Sequence, residues 1–238
     1  MPQNNIRILS TRPLQESILV MASEKGIQID TESFIRTEAV QDKELVDHIH
    51  AFAKKKITAI FTSMNGVGAV TSKLAAKPDW KIYCMGGATK QLVTDFFGIR
   101  SIAATARDGE SLAEKMIADK ELGEVVFFCG DQRLDRLPEI LVANEINLKE
   151  VMVYTTIYTP KFIDKSYDGI VFFSPSAVHS FFDINTIATD VIVFTIGRTT
   201  AAAVATYVEN ELVVSKWPGK EQMIEQVINY YEKTNSKS

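Results

Sequence analysis

The sequence contains few cysteines and histidines, and their positions exclude several kinds of site. Its two cysteines, Cys84 and Cys129, each end an apolar run, where a small buried hydrophobic residue is expected. Two thiols cannot form a disulfide framework. The three histidines, His48, His50 and His179, have no metal-ligand spacing relative to the cysteines or carboxylates. We therefore expect no metal site.

The chain also lacks an excess of positive charge and a long apolar segment. It has 26 Lys and Arg residues against 30 Asp and Glu residues among 238, whereas nucleic-acid binders usually carry a basic patch or stripe. The N-terminal sequence MPQNNIRILS is no secretory signal, and no run approaches the roughly 18 apolar residues that span a bilayer. We expect a cytoplasmic protein that binds neither nucleic acid nor membrane.

Short apolar runs alternate with helical patterns along most of the chain. One helical pattern covers residues 13–25, where Gly26 supplies a left-handed stop. Such alternation predicts an α/β protein with parallel sheets and helices on both faces. The predicted strands cover residues 6–10, 57–62, 80–84, 101–104, 124–129, 169–174, 191–196 and 212–214.

An internal repeat is the most informative feature of the sequence. IFTSMNGV at 60–67 resembles VFFSPSAV at 171–178, and GGATKQLV at 86–93 resembles GRTTAAAV at 197–204; both pairs are 111 residues apart. A fainter similarity pairs the region of Arg12 with that of Arg133, 121 residues further on. The N-terminal βα unit is therefore expected to be the counterpart of the unit at 124–146.

This arrangement predicts a discontinuous domain. Residues 1–32 and 161–238 form one α/β domain, and residues 41–150 form a second domain inserted into it. Residues 33–40 and 151–160 connect the two as a two-stranded ladder. The second connection, VMVYTTIYTP, alternates as a two-faced strand does. The alternation assigns Val151, Val153 and Thr155 to one face and Met152, Tyr154 and Thr156 to the other.

A glycine pair after the second predicted strand partly matches the dinucleotide-binding fingerprint G-x-G-x-x-G. Gly66 and Gly68 have the required spacing, but Thr71 stands where the third glycine belongs. We therefore expect no nicotinamide or flavin cofactor.

Hydroxyl side chains recur where predicted strands end and helices begin. Any one of them is explained as a helix cap. Their repetition in both copies favours ligand binding, because parallel sheets bind ligands at the carboxyl ends of their strands, and helix N-termini attract anions. Two such edges facing each other form a cleft for a large polyanion. The residues are Thr11, Thr62, Ser63, Thr89, Ser174, Ser176, Thr199 and Thr200.

The ordered set of motifs from Ile8 to about Val204 resembles that of uroporphyrinogen-III synthases. The sequence departs from the family's pattern at Gly66, where Ala is usual, at Arg198, where Pro is frequent, and in lacking a Pro in the first connection. These departures affect loop shape. The motifs are ILSTRP, FTSMNGV, CMGGATKQL, CGDQRLDRLPEIL, VMVYTT, FFSPSAVHSF and TIGRTTAAA.

The resemblance implies two flavodoxin-like parallel-sheet domains with a ligand cleft between them. It implies a monomeric, cofactor-independent carbon–oxygen lyase of heme biosynthesis. The substrate is hydroxymethylbilane, a linear tetrapyrrole that is cyclised with inversion of ring D and loss of water. Tyr154 corresponds to the family's catalytic tyrosine, and Lys90 and Arg198 are further candidates for gripping carboxylates. The implied substrate-binding residues are Thr11, Arg12, Thr62, Ser63, Gly86, Thr89, Ser174, Ser176, Gly197, Thr199 and Thr200.

Two other interpretations remain open at this point. One is a noncatalytic two-domain protein that closes on a small molecule. The other is a tandem of flavodoxin-like domains used for interaction, in which the hydroxyl turns only cap helices. Turnover of the bilane separates the enzyme from both.

Overall fold

The chain is organised around two sheets. The computed structural model describes residues 6–215 and 219–235; residues 1–5, 216–218 and 236–238 of the predicted discontinuous domain lie outside the described residues. Two compact units are present, unit 1 comprising Met1–Arg36 with Ile157–Ser238 and unit 2 comprising Thr37–Thr156. The chain passes between the units within the segments 33–40 and 151–160.

The described residues form strands and helices in regular alternation. The strands are β1 (Ile6–Ser10), β2 (Ile27–Thr31), β3 (Ile35–Ala39), β4 (Ile57–Phe61), β5 (Lys81–Met85), β6 (Ile102–Ala106), β7 (Glu124–Gly130), β8 (Leu148–Tyr158), β9 (Gly169–Phe172), β10 (Ile192–Thr195) and β11 (Leu212–Val214). The helices are α1 (Glu16–Ser23), α2 (Lys43–Ala53), α3 (Met64–Thr71), α4 (Ala88–Phe97), α5 (Gly109–Ile117), α6 (Arg136–Ala143), α7 (Pro175–Phe182), α8 (Arg198–Ala205) and α9 (Lys220–Asn235).

The sheet of unit 1 has the strand order β11-β10-β9-β1-β2, and all neighbours pair in parallel. Helices α1 and α9 cover one face, where Ile18 and Ile224 share a core. Helices α7 and α8 cover the other face, where Val178 and Val204 pack. The helices that follow the adjacent strands β1 and β9 therefore lie on opposite faces. Such a switch point is where open parallel sheets bind ligands.

The sheet of unit 2 has the order β3-β8-β7-β4-β5-β6, and the strands from β8 to β6 pair in parallel. Ile49, Val70 and Val93 bring α2, α3 and α4 onto one face. Leu112 and Leu141 bring α5 and α6 onto the other. The switch point of this sheet lies between β4 and β7. Apolar runs such as ITAIF in β4 are buried throughout, as expected for a sheet covered on both faces.

The two connecting segments lie side by side in the six-stranded sheet. The Val40 N–H donates to the Val153 carbonyl (3.0 Å), and the Thr159 N–H donates to the Phe34 carbonyl (2.9 Å). From Phe34 to Val40 one segment advances by six residues, whereas the bonded partner goes back by six, from Thr159 to Val153. The pair is antiparallel and forms the predicted ladder.

The repeat is confirmed by strand register. Ile60 pairs with Tyr83 in unit 2, and Val171 pairs with Phe194 in unit 1, so both partners are displaced by the same 111 residues. β1 lies beside β9 as β7 lies beside β4. The prediction that residues 6–10 and 169–174 share a sheet is therefore confirmed. The order β6-β5-β4-β7-β8 in unit 2 therefore corresponds to β11-β10-β9-β1-β2 in unit 1. The chain enters the two units at different strands of this common order.

Two local features differ from the sequence prediction. The helix predicted over 13–25 covers only Glu16–Ser23, because its N-cap Gln15 is extended; before it, the Pro13 carbonyl accepts a hydrogen bond from Lys220 (2.8 Å). The strand β2 was not predicted. Gly66 and Gly68 lie inside α3, in the first turns of the helix that follows β4. The backbone of Gly66 passes close to β7, since a Cβ there would lie 3.1 Å from the Phe128 carbonyl oxygen.

Within residues 6–215 and 219–235, no helix combines the length and the apolar character needed to cross a bilayer.

Candidate functional site

Most of the predicted site residues of unit 2 lie at one edge of its sheet. Thr62 and Ser63 directly follow β4, and Gly86 directly follows β5. Thr89 lies in the first turn of α4, and Tyr154 lies on β8. Because these strands are parallel, their carboxyl ends share an edge, with β7 between β8 and β4.

Ser63 caps α3 and also contacts the predicted catalytic residue. Its hydroxyl oxygen accepts a hydrogen bond from the Asn65 N–H (3.0 Å), which leaves the hydroxyl proton for another acceptor. The Ser63 side chain is near enough to the phenol of Tyr154 to lower its pKa. The Ser63 cap and the Tyr154 phenol thus lie together at the switch point of unit 2.

The phenol of Tyr154 is half-buried against the core of unit 2. Burial raises its pKa above the ordinary value; Cys129 and Asp131 add to the rise, and the Ser63 side chain opposes it. The phenol therefore remains protonated at neutral pH. It is a hydrogen-bond donor in a partly dry environment.

The predicted alternation along β8 is wrong at this residue. Cys129 pairs with Met152, but the next residue, Gly130, pairs with Tyr154, so Val153 is an extra residue in a β-bulge. Val153 and Tyr154 pack against the same core cluster, whereas Met152 is 48% exposed. Met152 and Tyr154 do not share a face, because the bulge turns Tyr154 back toward β7.

The turn before α4 is shaped by two glycines. The Gly86 N–H donates to the Ala106 carbonyl (2.8 Å), so this amide is already satisfied. Gly87 is the N-cap of α4 and has a φ of 64° that favours glycine. Thr89 is buried in the first turn, and Lys90 beside it is exposed.

In unit 1, the predicted residues lie at the corresponding edge. Thr11 follows β1 and is bound to β9, because its N–H (3.0 Å) and its hydroxyl (2.9 Å) both donate to the Val171 carbonyl. Arg12 is exposed beside it. Ser174 follows β9 and caps α7, accepting a hydrogen bond from the Ala177 N–H (3.2 Å). Ser176 is buried in the first turn of that helix.

The remaining residues of unit 1 follow β10. Gly197 is the N-cap of α8 in extended conformation. Arg198 and Thr199 are exposed in the first turn, whereas Thr200 is buried.

The N-termini of the four helices differ in which first-turn N–H groups remain free to bind a ligand. α3 and α7 have serine caps, which occupy one N–H group of each first turn. α4 and α8 have glycine caps, which supply no side-chain acceptor. First-turn N–H groups and the positive end of the helix dipole are suited to carboxylates. Each unit therefore offers one serine-capped and one glycine-capped helix start for anion binding.

Three residues at the edge of unit 2 were not among the predicted site residues: Gly87, Gly130 and Asp131. The doubled glycine in CMGGATKQL is the only sequence feature that points to Gly87. Gly130 ends β7 opposite Tyr154, and Asp131 follows it; the Asp131 N–H donates to the Tyr154 carbonyl (3.3 Å).

A groove of about 1000 Å³ lies at the opposite edge of unit 2, before the starts of β4, β5 and β7. Its charged residues are partly paired with one another, as Lys56 is with Asp79 (3.4 Å). It contains none of the predicted site residues, which in unit 2 lie at the carboxyl edge of the sheet. Across the described part of the chain, no group of three His, Cys, Asp or Glu side chains is arranged to hold a metal ion.

Comparisons with known proteins reveal relatives of this chain. The family model described as uroporphyrinogen-III synthase HemD matches residues 17–225. The crystal structure of uroporphyrinogen-III synthetase from Helicobacter pylori is similar, with a TM-score of 0.65 and 16% identity over 94% of this chain and 99% of that one. A mutant uroporphyrinogen III synthase from Thermus thermophilus has a TM-score of 0.63 and 16% identity, over 96% and 99% respectively. A comparison with curated protein sequences gives no match.

Proposed function

Because the chain belongs to the uroporphyrinogen-III synthase family, we propose that it cyclises hydroxymethylbilane with inversion of ring D. The match over residues 17–225 carries this proposal. It is supported by the position of Tyr154, whose protonated phenol lies beside Ser63 at the switch point of unit 2.

The reaction begins when the terminal hydroxyl of the bilane departs as water and leaves an azafulvene. Ring D then attacks through its substituted carbon and forms a spirocyclic pyrrolenine, which fragments and closes again with the ring inverted. The bilane also closes unaided without inversion. The enzyme must therefore favour the spiro route, chiefly by holding a folded conformer of the substrate.

Tyr154 is the proposed catalytic residue. Its phenol donates a hydrogen bond to the departing hydroxyl and so assists the loss of water. The nearby Ser63 side chain lowers the pKa that burial raises, which makes the phenol a better donor. The burial keeps the phenol protonated before reaction.

We propose that the acetate and propionate arms of the substrate bind at the sheet edges where the strands of units 1 and 2 end. In unit 2 we assign this role to the start of α4 with Thr62 and Thr89. In unit 1 we assign it to Ser174 and to the start of α8, where Thr199 and Arg198 are exposed. Thr11 is assigned a supporting role, because its hydroxyl proton is donated to β9.

The chemistry requires only proton transfer and orientation, so we propose a cofactor-independent carbon–oxygen lyase. We also propose that it works as a monomer in the cytoplasm and that its two units act as domains. Light scattering at assay concentration tests the monomer; a dimer of constant mass would contradict it.

The deciding experiment is an assay with freshly prepared hydroxymethylbilane, followed by oxidation and chromatographic separation of type I and type III uroporphyrins. We expect type III product well above the spontaneous background, which is type I. Boiled protein is the control. Only type I product at the uncatalysed rate would overturn the proposal and favour a protein that binds the bilane without turnover.

A further inference from the structure

The ring of Tyr154 lies directly over the backbone of Gly130. A Cβ atom at position 130 would lie 2.4 Å from Cζ, 2.5 Å from Cε2 and 2.8 Å from the phenol oxygen of Tyr154. Carbon atoms in favourable contact are about 3.5–4.0 Å apart. Any side chain at position 130 would therefore occupy the space of the phenol.

The β-bulge at Val153 is what brings the phenol to this place. In a regular strand pair, Val153 would oppose Gly130 and Tyr154 would point to the other face. The extra residue instead places Tyr154 opposite Gly130. Bulges commonly re-aim a side chain next to an active site.

Asp131 holds the backbone of β8 at the bulged tyrosine and two residues after it. Its N–H donates to the Tyr154 carbonyl (3.3 Å), and its carboxylate accepts a hydrogen bond from the Thr156 N–H (2.8 Å). Two residues further on, Arg133 forms an ion pair with Glu150 of β8. The turn after β7 is thus attached to β8 at three points around Tyr154.

We propose that Gly130 and Asp131 are positioning residues that fix the phenol of Tyr154 for the reaction. Gly130 provides the space into which the ring folds, and Asp131 fixes the backbone that carries it. The consequence for turnover rests on the proposed function of Tyr154. A misplacement of about 1 Å can cost a factor of about 100 in rate.

A first measurement reports on position without using activity. The protein is labelled with 3-fluorotyrosine, and the ¹⁹F resonance of Tyr154 among the seven tyrosines is assigned by its loss in Tyr154→Phe. We expect Gly130→Ala to move this resonance and to lower the pKa of the phenol, because the displaced ring leaves its half-buried site. The matched control is Gly68→Ala, since a Cβ at Gly68 meets nothing within 4 Å; its resonances should match those of wild type.

A second measurement tests the role in turnover. Gly130→Ala should lower kcat for type III product by about as much as Tyr154→Phe, roughly 10²–10³-fold, with KM changed less than threefold. Adding Gly130→Ala to Tyr154→Phe should cost less than a further twofold. If the fold losses in kcat of the two single variants multiplied in the double variant, the proposal would be overturned, because Gly130 would then act independently of the phenol.

Asp131 variants keep the test valid if Gly130→Ala does not fold. Asp131→Ala deletes the acceptor of the Thr156 N–H and should lower kcat at least tenfold, whereas Asp131→Asn retains an acceptor and should stay within threefold of wild type. Equal losses in both variants would contradict positioning by this hydrogen bond. An unmoved Tyr154 resonance in Gly130→Ala overturns positioning by Gly130. Failure of wild-type protein to make type III product is a separate result, which overturns the proposed function and leaves the resonance data unaffected.

Discussion

Ser63 and Ser174, 111 residues apart, occupy the same place in their units. Each follows a central strand of a parallel sheet, and each hydroxyl oxygen accepts a hydrogen bond from a backbone N–H of the helix that it begins (3.0 and 3.2 Å). Each therefore caps a helix and still has a hydroxyl proton to donate. Capping and ligand binding are compatible roles for such a serine, and substitutions can separate them.

Ser174→Gly and Ser174→Ala should separate the two roles. Both remove the hydroxyl, so both should raise KM for the bilane about tenfold, as expected for a lost hydrogen bond to a charged group. Glycine at an N-cap costs only a few tenths of a kcal/mol, whereas alanine costs about 1 kcal/mol. The measurements are steady-state kinetics and urea unfolding. Asp42→Ala, which removes the cap of α2, is the control that should lose stability without a change in KM. An unchanged KM in both Ser174 variants would make Ser174 a cap only.

Tyr154→Phe should leave the fold intact and lower kcat for type III product by roughly 10²–10³-fold, because it deletes one donor acting on the departing hydroxyl. The half-buried ring keeps its packing. The check is the initial type III rate of purified, folded variant and wild type. A variant within about twofold of wild type would reduce Tyr154 to a packing residue.

Asp119→Asn should reveal an acid-dependent contribution to stability. Hydrogen bonds from Lys81 and then Tyr83 lower the pKa of Asp119 to about 2. Because this pKa is lower in the folded protein, the Asp119 carboxylate stabilises the fold at pH values above its unfolded pKa near 3.8. The stabilisation disappears as the pH falls through the folded pKa of about 2. We expect a loss of about 1 kcal/mol at pH 7, because solvent screens much of the interaction.

Urea unfolding at pH 7, 4 and 2.5 checks this expectation. The difference between wild type and Asp119→Asn should be nearly the same at pH 7 and pH 4 and should shrink between pH 4 and pH 2.5. Asp79→Asn is the control, since Asp79 pairs with Lys56 on the surface and should contribute little. A loss of equal size at all three pH values would mean that the carboxylate charge is not its cause.

Both cysteines should be unreactive in the folded protein. Burial raises the pKa of Cys84 to about 11, and it also raises that of Cys129. At pH 8 we expect a thiol reagent to modify Cys84 about 100-fold more slowly than a free thiol, because the thiolate is the reactive form. Labelling should become complete in urea. Complete labelling within seconds in native buffer would show that the thiols are accessible.

The sequence was sufficient for most of the fold, because the strands are continuous apolar runs between turn residues. β2 escaped prediction for a physical reason. Its sequence, IQIDT, is short and partly polar, and it forms one edge of its sheet, where only Ile27 is fully buried. It is a strand because it pairs with β1. A local sequence pattern does not show such a pairing.

The site was less predictable than the fold. The repeat located the hydroxyl residues at strand ends, since that depends on strand order alone. The direction of Tyr154 depends on a bulge, which is a property of two strands in register and leaves no mark in the alternation of β8. The need for glycine at position 130 becomes visible only once the phenol is in place.

The pairing of β1 with β9 also sets an order of events during synthesis. Ile8 pairs with Gly169, which is made 161 residues later. At about 5–20 residues per second, the ribosome needs roughly 10–30 s to cover that distance. Unit 2, the single run Thr37–Thr156, is complete before β9 exists. Unit 2 can therefore fold on the nascent chain while β1 of unit 1 is paired with β2 on one edge and waits for β9 on the other.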